Sequence, residues 1–435
     1  MSDWPSVSVV VLNYNGRRHL EPCFQSLLAL DYPSDRLELI CVDNGSADGS
    51  VELMRERFPQ VRLVETGANL GFAGGNNAGA RAAQGEIVAF LNNDTRVPPN
   101  WLRALVRPLV EEPDLACTGS KIVSWDGRLL EFCGGAANFL GYGFQEGFGS
   151  LYPKDCHRRQ EVLFVCGGAM AIRRALFLEV GGFDEDFFAF YEDSDLGWRL
   201  WILGYRVLSV PESVVYHRHH GTVSSVADWK RRFLYERNAL FSIVKNYEEE
   251  NLTRVLPVAL MLLLKRARYM TGADAGEYRI APERADAPVY SLREPENPWP
   301  LSYYVRETVR TLLRDGPGVL ATRTREELKR RLGRSEPLYP PKQIDRPPAT
   351  DPGFEQVPRA AIAHLLAGDD LIRYWPRLME KRAWIQARRR RSDGEIFRLF
   401  GRPLQLSFLE NEYEAAQEIL VQAFGLDRLF GEEEG

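Results

Sequence analysis

Val7-Ser8-Val9-Val10-Val11-Leu12-Asn13-Tyr14-Asn15-Gly16 decides the fold. The β-branched run up to Leu12 shows little polar alternation, as expected of a strand buried on both faces in a parallel sheet. It stops abruptly in turn residues. The same pattern recurs at Leu37–Val42, Val61–Val64 and Glu86–Leu91. Helix signals lie between the strands: Arg18–Leu30, a segment from a Ser46 N-cap through Phe58, and the Ala- and Asn-rich Ala73–Ala83. Pro98-Pro99 opens a further helix at its first turn. Strands alternating with helices through short loops imply βαβ units and a sheet covered on both faces.

Beyond residue 119 the texture changes. Glycines crowd between Gly134 and Gly149, and loops with short strands are expected up to Val165. Order returns at Val165–Ile172, followed by a short helix over Arg173–Val180. Leu196, Leu200 and Leu203 form one helical stripe that Gly204 ends. Tyr205–Val210 and Ser213–Tyr216 read as two final strands. From Ala227 the chain turns helical, with signals at 301–333, 359–392 and 410–424. Pro-rich connectors occupy 272–300 and 335–358. The organisation expected is an α/β domain over 1–247 and a mainly helical region over 248–435.

The 435 residues are 45% hydrophobic and 26% charged, enough for a large core and against wholesale disorder. A net charge of −5 argues against a dedicated nucleic-acid binder. All six cysteines (Cys23, Cys41, Cys117, Cys133, Cys156, Cys166) precede residue 167, with no CxxC pair. Buried or free thiols in a reducing cytosol are expected, without a zinc site. No basic segment precedes the first apolar run, and Val255–Leu264 falls short of the roughly 20 residues that span a bilayer. A cytoplasmic location is expected.

In an open parallel sheet, ligands sit beyond the carboxyl ends of the strands. Four polar clusters occupy that edge: Asn13-Tyr14-Asn15, Asp43-Asn44-Gly45, Asn69-Leu70-Gly71-Phe72 and Asn92-Asn93-Asp94. Turn chemistry explains any one of them; four in register point to a ligand. No GxGxxG follows the first strand, and no GxxxxGK[ST] exists, which excludes both phosphate-loop signatures. Six acids fall between Asp184 and Asp195 in an aromatic stretch. Glu192, Asp193 and Asp195 open a helix, where the dipole favours them; crowded and desolvated, one of them becomes a usable general base. His217-Arg218-His219-His220 follows the last strand, with His217 best fixed. Gly167-Gly168 admits either a close backbone approach to a donor or a tight turn.

These motifs resemble inverting nucleotide-sugar glycosyltransferases of glycosyltransferase family 2, with the GT-A (Rossmann-like) mixed sheet flanked by helices. Val9–Gly16 looks like their opening, Val42–Ser50 their base-binding segment, Asn92-Asn93-Asp94 their metal-binding motif, and Gly181–Gly204 their acceptor and base block. Asn69–Asn77 is similar to the rhamnosyltransferase-like branch. The resemblance covers roughly residues 5–247. It implies that Asp43 receives the base, flanked by Asn13 and Tyr14, with Asn77 and Asn93 near the nucleotide. It implies a divalent cation, Mn²⁺ or Mg²⁺, on Asp94 and His217. Asp193 would be the base, with Glu192 on the acceptor. Asn92 replaces the first acid of the family's Asp-x-Asp, which weakens the expected metal dependence. The donor implied is a dTDP- or UDP-linked sugar, rhamnose included, and the acceptor a saccharide or lipid-linked saccharide of cell-surface polysaccharide synthesis.

Two other readings stay open: a catalytically weak nucleotide-sugar-binding regulatory module, and a membrane scaffold built on the C-terminal helices. Val255–Leu264 followed by Lys265-Arg266-Ala267-Arg268, and the later run of Lys381, Arg382 and Arg388–Arg391, suit peripheral contact with an anionic membrane. A packed helix is the preferred reading of Val255–Leu264, and charge runs mostly face solvent. The oligomeric state is not legible.

Overall fold

The computed structural model describes residues 4–151, 154–218, 227–272, 357–408 and 410–430. The expectations for 301–333, for almost all of both Pro-rich stretches, and for His219 and His220 lie outside the described residues. Met1–Met270 and Arg359–Gly435 form one compact unit; Thr271–Pro358 is a second.

The first half alternates as the apolar runs require. β1 (Val7–Asn13), α1 (Arg17–Leu28), β2 (Leu37–Asp43), α2 (Ser50–Arg57), β3 (Arg62–Glu65), α3 (Gly71–Ala82) and β4 (Ile87–Asn92) follow in turn. β5 (Thr95–Arg96), α4 (Trp101–Glu111) and the ten-residue β6 (Leu115–Ser124) come next. The sequence reading did not mark β6. The glycine-dense stretch gives the short strands β7 (Leu130–Phe132), β8 (Gly135–Ala137), β9 (Gly143–Gln145) and β10 (Gln160–Glu161). β11 (Ala169–Arg173), α5 (Arg174–Glu179), α6 (Glu192–Ile202) and β12 (Arg206–His217) complete the sheet region. The described helices that follow are α7 (Asp228–Asn246), α8 (Glu249–Thr271), α9 (Arg359–Gln386), α10 (Asp393–Phe397), α11 (Asn411–Ala423) and α12 (Leu426–Phe430).

The main sheet runs β10-β12-β6-β11-β4-β1-β2-β3, with β5 on β12 and β7 on β6. It is mixed: β1 is parallel to β2 and β4, whereas β11 runs antiparallel between β4 and β6. Val9, Val10, Val11, Ile40, Val88 and Phe90 are fully buried, as a sheet covered on both faces demands. Asn13 registers with Asp43, and Leu12 with Asn92, so three strands end together. Strand direction from β1 diverges here, to β2 on one side and β4 on the other, which opens the crevice used by open α/β sheets.

Several local expectations change. The two last strands are one, β12, with a register irregularity between Val210 and Val214. Pro211 lies in that interval and has no N–H to donate. α2 begins at Ser50 behind Gly49 (φ 80°), not at a Ser46 cap; the Ser46 hydroxyl instead accepts from Asn13 Nδ2 and from the Asn15 N–H. Cys133 and Cys156 are disulfide-bonded, their Cα atoms 5.8 Å apart, which corrects the all-thiol reading for this pair. Cys23, Cys41 and Cys117 are buried free thiols, and Cys166 is a half-buried one.

Val255, Val258, Ala259, Leu262 and Leu263 of α8 are buried in the core. No helix among the described residues is long and apolar enough to cross a membrane. The run Arg388–Arg391 is not a free cationic face. Arg389 donates to the Asn246 carbonyl and to Asp393, and Arg391 donates to the Tyr205 carbonyl at 2.7 Å. Phe400 and Phe430 of the C-terminal segment pack on Trp198 and Phe139 of the sheet region.

Candidate active site

The crevice at the ends of β1, β2 and β4 is lined by amides that fix one another. Asn13, fully buried, donates from Nδ2 to Ser46 Oγ at 3.1 Å and to Asp43 Oδ1 at 3.4 Å. Asn93 Nδ2 donates to Asn13 Oδ1 at 2.7 Å. Asp43 Oδ2 accepts the Ser46 N–H at 3.0 Å. Gly16 allows the close packing: a Cβ there would lie 2.3 Å from Asn93 Nδ2. Tyr14 stands at the rim, 37% exposed, as a base-stacking side chain must. Asn13, Asp43, Asn93 and Tyr14 are thus brought together. Asn77 is not at this edge. Its Nδ2 donates to the Phe183 carbonyl at 2.8 Å and to Glu185 at 3.0 Å, and its Oδ1 accepts the Phe183 N–H, so its amide is committed to the 183–185 turn.

Asp94, just past β4, and His217, the last residue of β12, meet across the sheet. Asp94 Oδ1 is 3.3 Å from His217 Nε2. Two neighbouring ligands of an octahedral ion with bonds of about 2.1 Å stand about 3 Å apart, so this carboxylate–imidazole pair fits one divalent cation. Among the described residues no group of three His, Cys, Asp or Glu side chains is arranged to hold a metal, so the remaining ligands would be diphosphate oxygens and water. The other ring nitrogen, Nδ1, bonds Glu131 Oε2 at 2.6 Å. Glu131, on β7, went unmarked in the sequence; it is one acid in a glycine-rich stretch with no motif around it. A carboxylate behind a ligating histidine fixes its ring and tautomer. Burial pulls the His217 pKa down, but the bonds and charges of Asp94 and Glu131 outweigh it and push it up to about 10. A proton therefore occupies the imidazole wherever no cation does. His19 of α1 also faces this pair: burial lowers its pKa, Asp94 raises it, and its Nδ1 has no hydrogen-bond partner.

The three acids opening α6 have different fates. Asp195, fully buried, pairs with Arg199 at 2.8 Å and Lys245 at 2.9 Å and accepts from Asn246. Glu192 is buried with Oε2 unpartnered, and burial together with the Asp193 charge lifts its pKa well above the carboxylate range. Among the described residues Asp193 has no cationic partner; its Oδ2 accepts the Gly167 N–H at 2.9 Å and its Oδ1 accepts the Ser194 N–H. Burial raises its pKa, and those two N–H bonds pull against the rise. Of the two, Asp193 is the acid whose oxygens are both fixed by backbone N–H groups, while Glu192 keeps one oxygen unpartnered.

Gly167 and Gly168 connect the two halves of the site. A Cβ on Gly168 would stand 2.5 Å from the Asn92 side chain, and one on Gly167 would stand 3.3 Å from Asp193 Cβ. Consecutive Cα atoms are about 3.8 Å apart, so Asp193 and the end of β4 contact neighbouring residues.

Residues 8–181 match the family model described as glycosyl transferase family 2, and residues 151–221 match one described as the N-terminal domain of galactosyltransferase. The chain is 31% identical over 239 residues to N-acetylglucosaminyl-diphospho-decaprenol L-rhamnosyltransferase of Mycobacterium tuberculosis, a match covering 49% of this chain and 76% of that protein. It is 31% identical over 234 residues to O-antigen biosynthesis protein RfbC of Myxococcus xanthus, covering 52% of this chain and 18% of that one. Mannosyltransferase PcManGT from Pyrobaculum calidifontis, solved in complex with GDP-Man and Mn²⁺, superposes with a TM-score of 0.41 at 24% identity, covering 55% of this chain and 64% of that one. The mixed sheet with its flanking helices is the GT-A arrangement. On the family model and on a relative matched over 76% of its length, the chain belongs to glycosyltransferase family 2.

Proposed function

We propose that the protein is an inverting, metal-assisted glycosyltransferase that moves a sugar from a nucleoside diphosphate to a saccharide or lipid-linked saccharide hydroxyl. The observation that supports this reading is the placement of Asp193: of the three acids in the first turn of α6, it is the one without an ion pair whose two oxygens both accept backbone N–H bonds, and Gly167-Gly168 joins it to the end of β4. Asp43 takes the base, with Tyr14 and Asn13 beside it and Asn93 holding Asn13. Asp94 and His217 hold the cation, which supplies charge neutralisation for the leaving diphosphate.

Asp193 accepts the proton of the acceptor hydroxyl as that oxygen attacks the anomeric carbon. The new carbon–oxygen bond forms as the bond to the diphosphate breaks, with the diphosphate leaving on the opposite face. One displacement inverts the centre, and no covalent enzyme intermediate is needed. Glu192 lies beside the base, placed to contact the acceptor.

The donor proposed is dTDP-rhamnose or a close dTDP- or UDP-linked relative, in keeping with the name of the Mycobacterium tuberculosis protein. Polysaccharide synthesis at the inner membrane face, with peripheral contact, is the setting proposed. The exposed apolar side chains Met261, Leu264 and Ile372 are available for that contact, and liposome flotation at low and high salt tests it.

A thermal-shift panel of dTDP-, UDP- and GDP-sugars with Mn²⁺ tests the donor. Stabilisation by dTDP-rhamnose or a UDP-sugar is expected; preference for a GDP-sugar overturns that part. Donor hydrolysis that proceeds fully in EDTA overturns the metal's role. Tight donor binding without any turnover would favour the regulatory-module reading instead.

A further inference from the structure

We propose that Lys381 of α9 is a positioning residue for the candidate base, clamping the turn that delivers Glu192 and Asp193 to the sheet edge. This rests on the reading of Asp193 as base.

The turn between Phe183 and Tyr191 does not hold its shape by itself. Phe188, Phe190 and Tyr191 have φ of 63°, 71° and 65°, a region that non-glycine residues avoid. Tyr191 is the N-cap of α6 and makes no side-chain capping bond, so the strained backbone leads directly into Glu192 and Asp193. Such a conformation persists only where its surroundings over-determine it.

The later half of the turn is held through its carbonyls. Asn238 Nδ2 donates to those of Phe187, Ala189 and Phe190 at 3.1, 2.9 and 2.7 Å. Arg237 donates to those of Asp186 and Phe187. The earlier half is held by the Asn77 amide at Phe183 and Glu185 and, from the C-terminal side, by ions. Lys381 Nζ bridges Asp184 and Asp186 at 2.5 Å to each. Lys245 reaches Asp184 at 2.5 Å and Asp195 of α6 at 2.9 Å. Arg377 adds a contact to Asp186 at 2.9 Å but is 59% exposed, so water screens it. Burial would raise the Asp184 pKa; Lys245 and Lys381 hold it far below the usual range instead.

Apolar packing does not replace these ions. A cavity of 480 Å³ lies behind the turn, lined by Phe183, Asp184, Arg199, Lys381 and Trp384 among others. Lys245 lies deep in the core, 1% exposed, and its loss would disturb the whole α6–α7 interface. Lys381 stands at the cavity mouth, 27% exposed, so its removal leaves room for water and the fold intact.

The test uses the full chain with Lys381→Met, Lys381→Arg and Asp193→Asn. Three quantities are read: hydrogen exchange over residues 184–193, affinity for UDP and dTDP, and hydrolysis of the donor that the panel selects. For Lys381→Met we expect exchange in 184–193 to rise at least roughly tenfold with β1–β4 unchanged. Nucleotide affinity stays within about twofold, and turnover falls roughly ten- to a hundredfold, the scale of a misplaced catalytic group. Lys381→Arg restores both readouts. Unchanged exchange in 184–193 overturns the proposal. So does a uniform rise in exchange with matching loss of nucleotide affinity, which would mark a general structural role. Asp193→Asn keeps wild-type exchange while losing turnover; if it stays active, the base assignment fails, and the exchange of Lys381→Met still decides the clamp.

Discussion

Asp193 and Asp195 stand two positions apart in one helical turn, and only their neighbours separate them. Asp195 is neutralised by Arg199 and Lys245, while Asp193 meets backbone N–H groups. Asp193→Asn should therefore lower turnover by roughly 10²–10⁴, the usual contribution of a general base, with nucleotide affinity kept. Asp195→Asn should instead lower the melting temperature, since it breaks a buried ion pair. If steady-state kinetics and calorimetry give the reverse pattern, the two roles are exchanged. A second residue-scale outcome concerns Gly168. A Cβ 2.5 Å from the Asn92 side chain forces that side chain to move at the end of β4, so Gly168→Ala should weaken both nucleotide binding and turnover; titration with UDP or dTDP checks it. The acids of α6 and the polar strand ends were legible because motif and position coincide. Glu131 was not, because its role comes from β7 folding onto β6, which brings it behind His217. Nor was the orientation of Asn77, which depends on where residues 183–185 fall.

At the scale of elements, apolar runs of period two or of unbroken length were read correctly as β1, β2 and β4, because burial of both faces leaves a composition that nothing else produces. β6 was harder: Thr118, Ser120 and Lys121 are buried without being apolar, and Gly119 between them carries no side chain to mark a strand. The cationic residues between Lys381 and Arg391 are hard to read for a related reason. Charge in a sequence does not show which backbone carbonyls are waiting for a donor. Helix α7 ends with such carbonyls, and Arg382 caps two of them, donating to Val244 at 2.8 Å and Tyr247 at 2.5 Å. Its contact to Glu249 adds little, since that carboxylate is 78% exposed. Arg382→Met keeps the stem and leaves buried carbonyls short of a donor. The expected cost is about 2–3 kcal/mol, measurable by urea titration. A loss below about 0.5 kcal/mol would mean that Gln386, which also reaches the Tyr247 carbonyl, suffices.

At the largest scale described, a buried ionic cluster ties four helices to the sheet region. Glu236 of α7 accepts from Arg266 of α8 at 2.7 Å and from the Tyr142 hydroxyl at 2.5 Å, with His364 of α9 at 3.3 Å; Arg266 in turn reaches Tyr413 of α11. Burial would raise the Glu236 pKa, but Arg266 and His364 outweigh it and lower it from 4.5 to about 2. A depressed carboxylate contributes stability that is fully present above pH 4.5 and is lost as pH falls through 2. Glu236→Gln, which leaves Arg266 uncompensated, should cost about 3–5 kcal/mol at neutral pH. Its deficit against the parent should shrink between pH 4.5 and 2, as read by denaturation at several pH values; a pH-independent deficit would assign the loss to packing. No such cluster was legible in the sequence, because its members come from four helices and a loop. The pairing of Lys381 with Asp186 spans 195 positions of chain. At about 5–20 residues per second, a ribosome takes roughly 10–40 s to travel that distance. The carboxylate turn thus leaves the ribosome long before its lysine does. During that interval a nascent chain can complete the sheet and hold the turn through α7 while the Lys381 contact is still missing, so on the proposed reading full activity is expected only late in translation.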